Sequence, residues 1–76
     1  MERLNLRQLE IFSAVVDAGS FTAAAEKLYL AQSTVSDNVR ALEELLHLKL
    51  FHRESKRRLT LTLEGKRVYR YAQDNL

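Results

Sequence analysis

Three residues, Tyr29 to Ala31, separate two helical patterns, and this short spacing constrains the fold more than any other feature of the chain. The first pattern covers residues 21–28, with Ser20 placed to cap its start, and the second covers about 32–46. Residues 23–25 are all alanine, and such small side chains allow a neighbouring helix to approach closely. We therefore predict two helices packed against each other across a tight turn.

Helical patterns also flank this pair. Upstream, apolar residues recur at helical spacing from Leu6 to Ala18, with Asn5 placed to cap the helix and Gly19 to end it. Downstream, Thr62 can cap a further helix over residues 63–76. Because the chain has no proline and only two glycines, no interior linker is indicated, and we expect tightly connected elements.

The size and composition limit what the chain can do. With 76 residues, 46% hydrophobic content and no cysteine, it can bury only a modest core without disulfides. A deep catalytic pocket does not suit a domain of this size. The longest apolar stretch, residues 11–16, is too short for a signal peptide or a membrane span, so we expect a soluble, cytoplasmic protein.

The net charge of +2 is unevenly distributed along the chain. Residues 1–48 contain four basic and seven acidic side chains, whereas residues 49–70 contain eight basic and two acidic ones, a local charge of 8 − 2 = +6. Such a basic cluster is typical of a contact with nucleic acid or another anionic surface, although it can also be a solvated face.

The helix predicted over residues 32–46 has two separate faces. At about 100° per residue, five aliphatic side chains occupy one arc of the helical wheel, and Gln32, Ser33, Ser36, Asp37 and Arg40 occupy another. Glu43 and Glu44 fall on the polar arc too, farther along the helix. Glutamine and serine can donate and accept hydrogen bonds, so the N-terminal half of this face suits base edges in a DNA major groove. Simple solvation of polar residues is the alternative.

The segment from Leu50 to Leu61 predicts two short strands around a tight turn, with Leu59 and Leu61 pointing inward. Four basic residues, Arg53, Lys56, Arg57 and Arg58, would then lie at the hairpin tip. Three helices, a tight turn and a basic hairpin predict a mainly α, winged helix-turn-helix fold with a two-stranded wing, followed by a linker helix. In that fold the second helix of the pair enters the major groove, and the wing reaches the backbone or minor groove.

Residues 6–65 resemble the DNA-binding domain of LysR-type transcriptional regulators. The resemblance lies in LRQLEIFSAVVDAGSFTAAAEKL, QSTVSDNVRALEELL, LFHR and LTLEG. It implies a bacterial regulator that binds double-stranded DNA as a homodimer, with higher homo-oligomers open for a longer chain. The predicted base-reading residues are Gln32, Ser33, Ser36 and Asp37, and the predicted minor-groove residue is Arg53. The predicted backbone contacts are Ser20, Thr22, Ala23, Thr34, Arg40, Lys56, Arg57 and Arg58.

The chain departs from the family pattern at the start and end of the reading helix. Ala31-Gln32-Ser33 replaces the usual Ser-Gln-Pro, which removes both the capping hydroxyl and the proline. Asp37 stands where the family often has arginine or another polar residue, and an acid there can accept from cytosine N4. His47 stands where a glycine commonly ends this helix.

The last helix resembles the start of the family's linker helix, which pairs antiparallel with a second copy. We predict a boundary between a DNA-binding domain, residues 1–62, and this linker, residues 63–76. The predicted dimerisation stripe is Gly65, Val68, Tyr69, Ala72 and Leu76. The alternative is that Val68 and Tyr69 fold back onto Leu6 and Leu9. The family's effector-binding domain is missing from this sequence, so a small-molecule effector would act only through that domain.

The sequence leaves two alternative function classes to consider. His47 and His52 could indicate a metal site or an acid–base pair, but no cysteine and no carboxylate cluster accompanies them, so we predict no metal, no cofactor and no enzyme activity. The second alternative is a helical protein-interaction module that dimerises through residues 63–76 and offers its basic hairpin to an acidic partner. Steep salt dependence with sequence preference would distinguish DNA binding from that alternative.

Overall fold

The computed structural model describes residues 5–52 and 59–76, which form four helices and one two-stranded sheet. In chain order these are α1 (Leu6–Ala18), α2 (Phe21–Leu28), α3 (Gln32–Leu46), β1 (Phe51–His52), β2 (Thr60–Leu61) and α4 (Leu63–Asn75). The predicted bounds of the first three helices are confirmed. The strands are antiparallel, with Phe51 opposite Leu61 and His52 opposite Thr60. The predicted hairpin tip lies outside the described residues.

Side-chain caps start three of the helices, as predicted. The Asn5 side-chain oxygen accepts from the backbone N–H groups of Arg7 at 2.9 Å and Gln8 at 3.3 Å. Ser20 Oγ accepts from the N–H of Ala23 at 3.0 Å. These bonds satisfy N–H groups that a helix start would otherwise leave without partners, and each such cap contributes about 1 kcal/mol.

Left-handed residues end the first three helices. Gly19 has φ +83° and ends α1, as predicted. His47, which stands in place of the family's usual glycine, adopts the same backbone region with φ +57° at the end of α3. Its N–H still donates to the carbonyls of Glu43 and Glu44, so the substitution keeps the cap but places a β-carbon in a conformation that favours glycine.

The core lies between α1 and α3 and is closed by the sheet. Side chains buried from both helices meet there, namely Leu9, Ile11, Phe12 and Val15 of α1 with Val35, Val39 and Leu42 of α3. The Phe51 ring of β1 lies 5.4 Å from the Phe12 ring and 5.6 Å from the Phe21 ring, measured between centroids. Burial of each large side chain contributes about 1.5–3 kcal/mol, so these contacts fix how the helices cross.

Helix α4 packs on α1 and completes the same core. Ala72 is fully buried, and the Tyr69 hydroxyl donates to the carboxyl group of Asp17 in α1. This hydrogen bond, followed by desolvation and the nearby negative charge, raises the pKa of Tyr69. A boundary at residue 62 stays a prediction, since the first turns of α4 share their packing with the preceding elements. Within residues 5–52 and 59–76, no helix has the length and apolar character needed to cross a membrane.

Candidate nucleic-acid interface

The turn between α2 and α3 is as short as predicted and is held by backbone hydrogen bonds. Tyr29 has φ +58°, and its N–H donates to the carbonyls of Ala25 and Glu26. The next N–H, that of Leu30, donates to the Ala25 carbonyl at 2.9 Å. This pattern ends α2 abruptly and starts α3 three residues later, while the buried Ala24 and Ala25 let the two helices lie close together.

The polar face predicted for α3 is exposed at its N-terminal end. Gln32, Ser33 and Asp37 are exposed, and Ser36 is half-buried. The predicted backbone contacts Thr34 and Arg40 are exposed as well. The opposite side of the helix carries the buried valines and leucine of the core. The fold therefore places the four predicted base-reading residues at one end of α3, three of them exposed, and their contact with bases stays a prediction.

The start of α2 lies beside the start of α3. The Thr22 hydroxyl donates to the side-chain oxygen of Gln32 at 3.2 Å, a bond that does not use the Gln32 amide N–H groups. The Ser20 hydroxyl accepts the capping bond from Ala23 and keeps its own hydrogen for donation. The predicted backbone contacts of α2 therefore adjoin the predicted base-reading residues.

Glu43 is not part of the exposed polar face of α3, contrary to the prediction. The wheel placed it beside Gln32 and Ser36, but it is only 4% exposed, and its carboxyl oxygen accepts from the backbone N–H of Leu50 at 2.8 Å. The neighbouring Glu44 is exposed, as expected. A wheel cannot reveal this difference, because the partner N–H lies seven residues away, beyond the end of the helix.

The structure describes the base of the wing, residues 51–52 and 59–61. The two strands and the half-buried Leu59 and Leu61 pack against the core, which agrees with the predicted inward alternation. The predicted DNA contacts Arg53, Lys56, Arg57 and Arg58 lie outside the described residues, so their roles stay predictions. His52 is exposed on β1 and His47 is exposed after α3. In the part of the chain that is described, no group of three or more metal-ligating side chains could hold an ion.

The predicted dimerisation stripe on α4 is mostly covered by the domain itself. Gly65 and Ala72 are buried and Val68 and Tyr69 are half-buried against the core, and pairing of two copies through these positions stays a prediction. The alternative had Val68 and Tyr69 fold back onto Leu6 and Leu9. Both side chains do pack on the domain, but the Tyr69 hydroxyl bonds to Asp17, and Leu6 is 63% exposed. Leu76 is 53% exposed, and α4 exposes two further large side chains, Leu63 at 62% and Tyr71 at 48%.

Comparisons with known proteins agree with this geometry. Residues 6–66 match the model of the bacterial regulatory helix-turn-helix proteins of the lysR family. The RuBisCO operon transcriptional regulator of Allochromatium vinosum is 44% identical over 70 residues, which is 92% of this chain and 23% of that protein. The transcriptional activator protein LysR of Escherichia coli K12 is 44% identical over 73 residues, which is 96% of this chain and 23% of that protein. The chain thus spans about a quarter of the length of these relatives.

Among solved structures, the BenM DNA-binding domain in complex with catB site 1 DNA superposes with a TM-score of 0.88 at 44% identity, covering 93% of this chain and 78% of that one. A full-length BenM variant superposes with a TM-score of 0.87, again at 44% identity, covering 93% of this chain and 23% of that one. The family match in sequence and the structural superpositions thus cover nearly the same part of the chain. The chain belongs to the lysR family of bacterial regulatory helix-turn-helix proteins, as a winged helix-turn-helix DNA-binding domain.

Proposed function

We propose that this domain reads a specific double-stranded DNA sequence as part of a transcription regulator that works in the bacterial cytoplasm. Helix α3 would enter the major groove by its N-terminal end, and the wing would lie on the backbone or minor groove. The observation that carries the proposal is the exposed end of α3, where Gln32, Ser33 and Asp37 stand free of the core. A related domain of the same fold, solved in complex with DNA, supports DNA binding by this domain.

The chemistry of this helix end suits recognition of base edges. Gln32 and Ser33 can each donate and accept, and Asp37 can accept from cytosine N4. The Thr22 hydroxyl holds the Gln32 oxygen, so the Gln32 amide hydrogens are the groups best placed for a base acceptor. Arg40, one turn beyond Ser36, supplies positive charge where the helix leaves the groove.

Selection of bound sequences from a random duplex library would test this function. Gln32→Ala or Ser36→Ala should reduce the preference for the selected site over random DNA by about 1–3 kcal/mol and leave non-specific affinity nearly unchanged. Gln73→Ala on α4 and Ser13→Ala on α1 are matched controls, since they remove the same side chains away from the proposed interface. Equal losses on selected and random DNA would contradict the base-reading role.

We further propose that two copies pair through the outer face of α4 and read half-sites related by dyad symmetry. Leu63 and Tyr71 are large apolar side chains that α4 leaves exposed on this face, and Leu76 is exposed at the helix end. A shallow groove beside them is lined by Arg67, Val68, Tyr71 and Leu46. A two-fold pair buries the same patch on both copies. Sedimentation of the wild type and of Tyr71→Asp tests the pairing, with Tyr29→Asp as an exposed control; a wild-type monomer at high concentration would contradict it.

A further inference from the structure

A buried carboxyl group joins the reading helix to the base of the wing. Glu43, in the last third of α3, accepts the backbone N–H of Leu50, the residue directly before β1. The backbone carbonyl of Glu43 also accepts from the N–H of Leu48 at 3.1 Å. One residue therefore holds the connection between α3 and β1 at two points.

The other side of this connection is held by the start of α4. Thr62 Oγ1 donates to the Lys49 carbonyl at 2.6 Å, and the Thr62 N–H donates to the Leu50 carbonyl at 3.0 Å. Gly65 lies so close that a β-carbon built there would be 2.1 Å from the Leu50 oxygen. Residues 49 and 50 are thus fixed between α3 and α4, and Glu43 makes the side-chain contact from the α3 side.

Stability alone does not explain a carboxyl group at this position. Burying a carboxyl group is costly unless its oxygens are hydrogen-bonded, and apolar replacements of buried polar groups are often neutral or stabilising. What an apolar side chain cannot supply is a directional bond to one particular N–H. A hydrogen bond of this kind fixes both distance and angle, so it sets where β1 begins relative to α3.

We propose that Glu43 is a positioning residue for DNA recognition: it holds the β1–β2 sheet at the place where the wing can contact DNA next to the bases read by α3. This inference rests on the proposed function. Glu43 itself is buried and touches no base. Its effect would appear at the flanks of the site, where the wing lies, and not at the central bases.

Two readouts on the same duplexes test the proposal. One is the preference for A·T-rich over G·C-rich flanks around a constant core, because a narrow minor groove attracts basic side chains. The other is hydroxyl-radical protection of the flanks. The variants are Glu43→Ala, which removes the acceptor, Glu43→Gln, which keeps an oxygen that can accept, and Glu43→Asp, which keeps the carboxyl group but shortens its reach. Glu44→Ala and Glu44→Gln are the matched controls on the exposed neighbour.

We expect Glu43→Ala and Glu43→Asp to lose flank preference and flank protection while they keep the preference for the core bases. Glu43→Gln should retain both flank readouts, and the Glu44 variants should match the wild type. Circular dichroism identifies any variant that is unfolded at the assay temperature, and Glu43→Asp and Glu43→Gln then decide the outcome if Glu43→Ala does not fold.

Four results would overturn the inference. In the Glu43→Ala and Glu43→Asp variants, these are equal loss of the preference for the central bases and of the flank readouts, or unchanged flank readouts in Glu43→Asp. The others are a Glu43→Gln variant that behaves like Glu43→Asp, and a wild type that prefers its central bases without protecting the flanks. Failure of the wild type to prefer any duplex would instead overturn the proposed function, so the two failures are distinguishable.

Discussion

Substitution of Gly65 by alanine should destabilise the domain, although the same change in an open helix would stabilise it. A β-carbon at this position would lie 2.1 Å from the oxygen and 3.0 Å from the carbonyl carbon of Leu50, and 2.9 Å from a methyl carbon of Leu61. The nearest of these atoms is a backbone oxygen, which cannot rotate away as the Leu61 side chain can. Helix α4 would have to move outward, and the bond from the Thr62 N–H to the Leu50 carbonyl would weaken.

The expected free-energy change is a difference of three contributions. Alanine in place of a helical glycine gains about 1 kcal/mol. Overpacking costs about 1–3 kcal/mol, and loss of a buried hydrogen bond costs about 1 kcal/mol more. The net loss in free energy of unfolding is therefore about 1–3 kcal/mol, and each kcal/mol lowers the melting temperature by about 4–8 °C in a domain of this size.

Thermal and urea unfolding followed by far-UV circular dichroism would measure this loss. The control is Gly19, the other glycine, where a built β-carbon meets no heavy atom within 4 Å but φ is +83°. Asparagine tolerates that backbone region, so Gly19→Asn should be milder than Gly19→Ala, whereas Gly65→Asn should be at least as harmful as Gly65→Ala. A Gly65→Ala domain as stable as the wild type, or more so, would refute the steric reasoning.

Three further predictions address stability, electrostatics and pH. His47→Gly should raise the free energy of unfolding by up to about 1 kcal/mol in urea titrations, because φ is +57° there and a left-handed conformation costs a residue with a β-carbon. Arg57→Ala should weaken binding to all duplexes and lower the slope of log affinity against log salt by about one unit if the side chain contacts a phosphate, as salt titrations with selected and random DNA would show. Tyr69→Phe should destabilise the domain at pH 7–9, and this difference should shrink above about pH 10, because the raised pKa of Tyr69 reflects a hydroxyl that is bonded to Asp17 while protonated. Unfolding of both proteins across that pH range checks this prediction.

The local signals in the sequence predicted the helices accurately. The caps Asn5 and Ser20 accept from N–H groups only two or three residues away, and the apolar spacing of α1 and α3 follows from the helical repeat. Both signals can therefore be identified without knowledge of the tertiary fold. The two short strands were also predictable from the alternation of apolar residues around them, and the exposed polar end of α3 from its residue types.

The errors concern contacts between distant parts of the chain. The stripe on α4 is apolar in the sequence, but the sequence does not show that its small residues Gly65 and Ala72 are covered by the domain itself; pairing through this helix stays a prediction. Glu43 falls on the polar arc of α3, yet it is buried because its acceptor meets an N–H beyond the helix end. A one-dimensional pattern shows which face is apolar or polar; it does not show what covers that face.

The alanine directly before α3, Ala31, affects how much free energy DNA binding can release. Ala31 offers no side-chain cap, and residues 31–34 are all exposed, so within the described part of the chain no capping side chain accepts from the first N–H groups of the reading helix. A capping hydroxyl here would contribute about 1 kcal/mol. A phosphate oxygen at this helix start would supply the missing acceptor, and the DNA backbone would then act as the cap. Part of the affinity would be recovered helix stability, and the amide hydrogens of residues 33 and 34 would exchange rapidly in the free domain and slowly on the duplex.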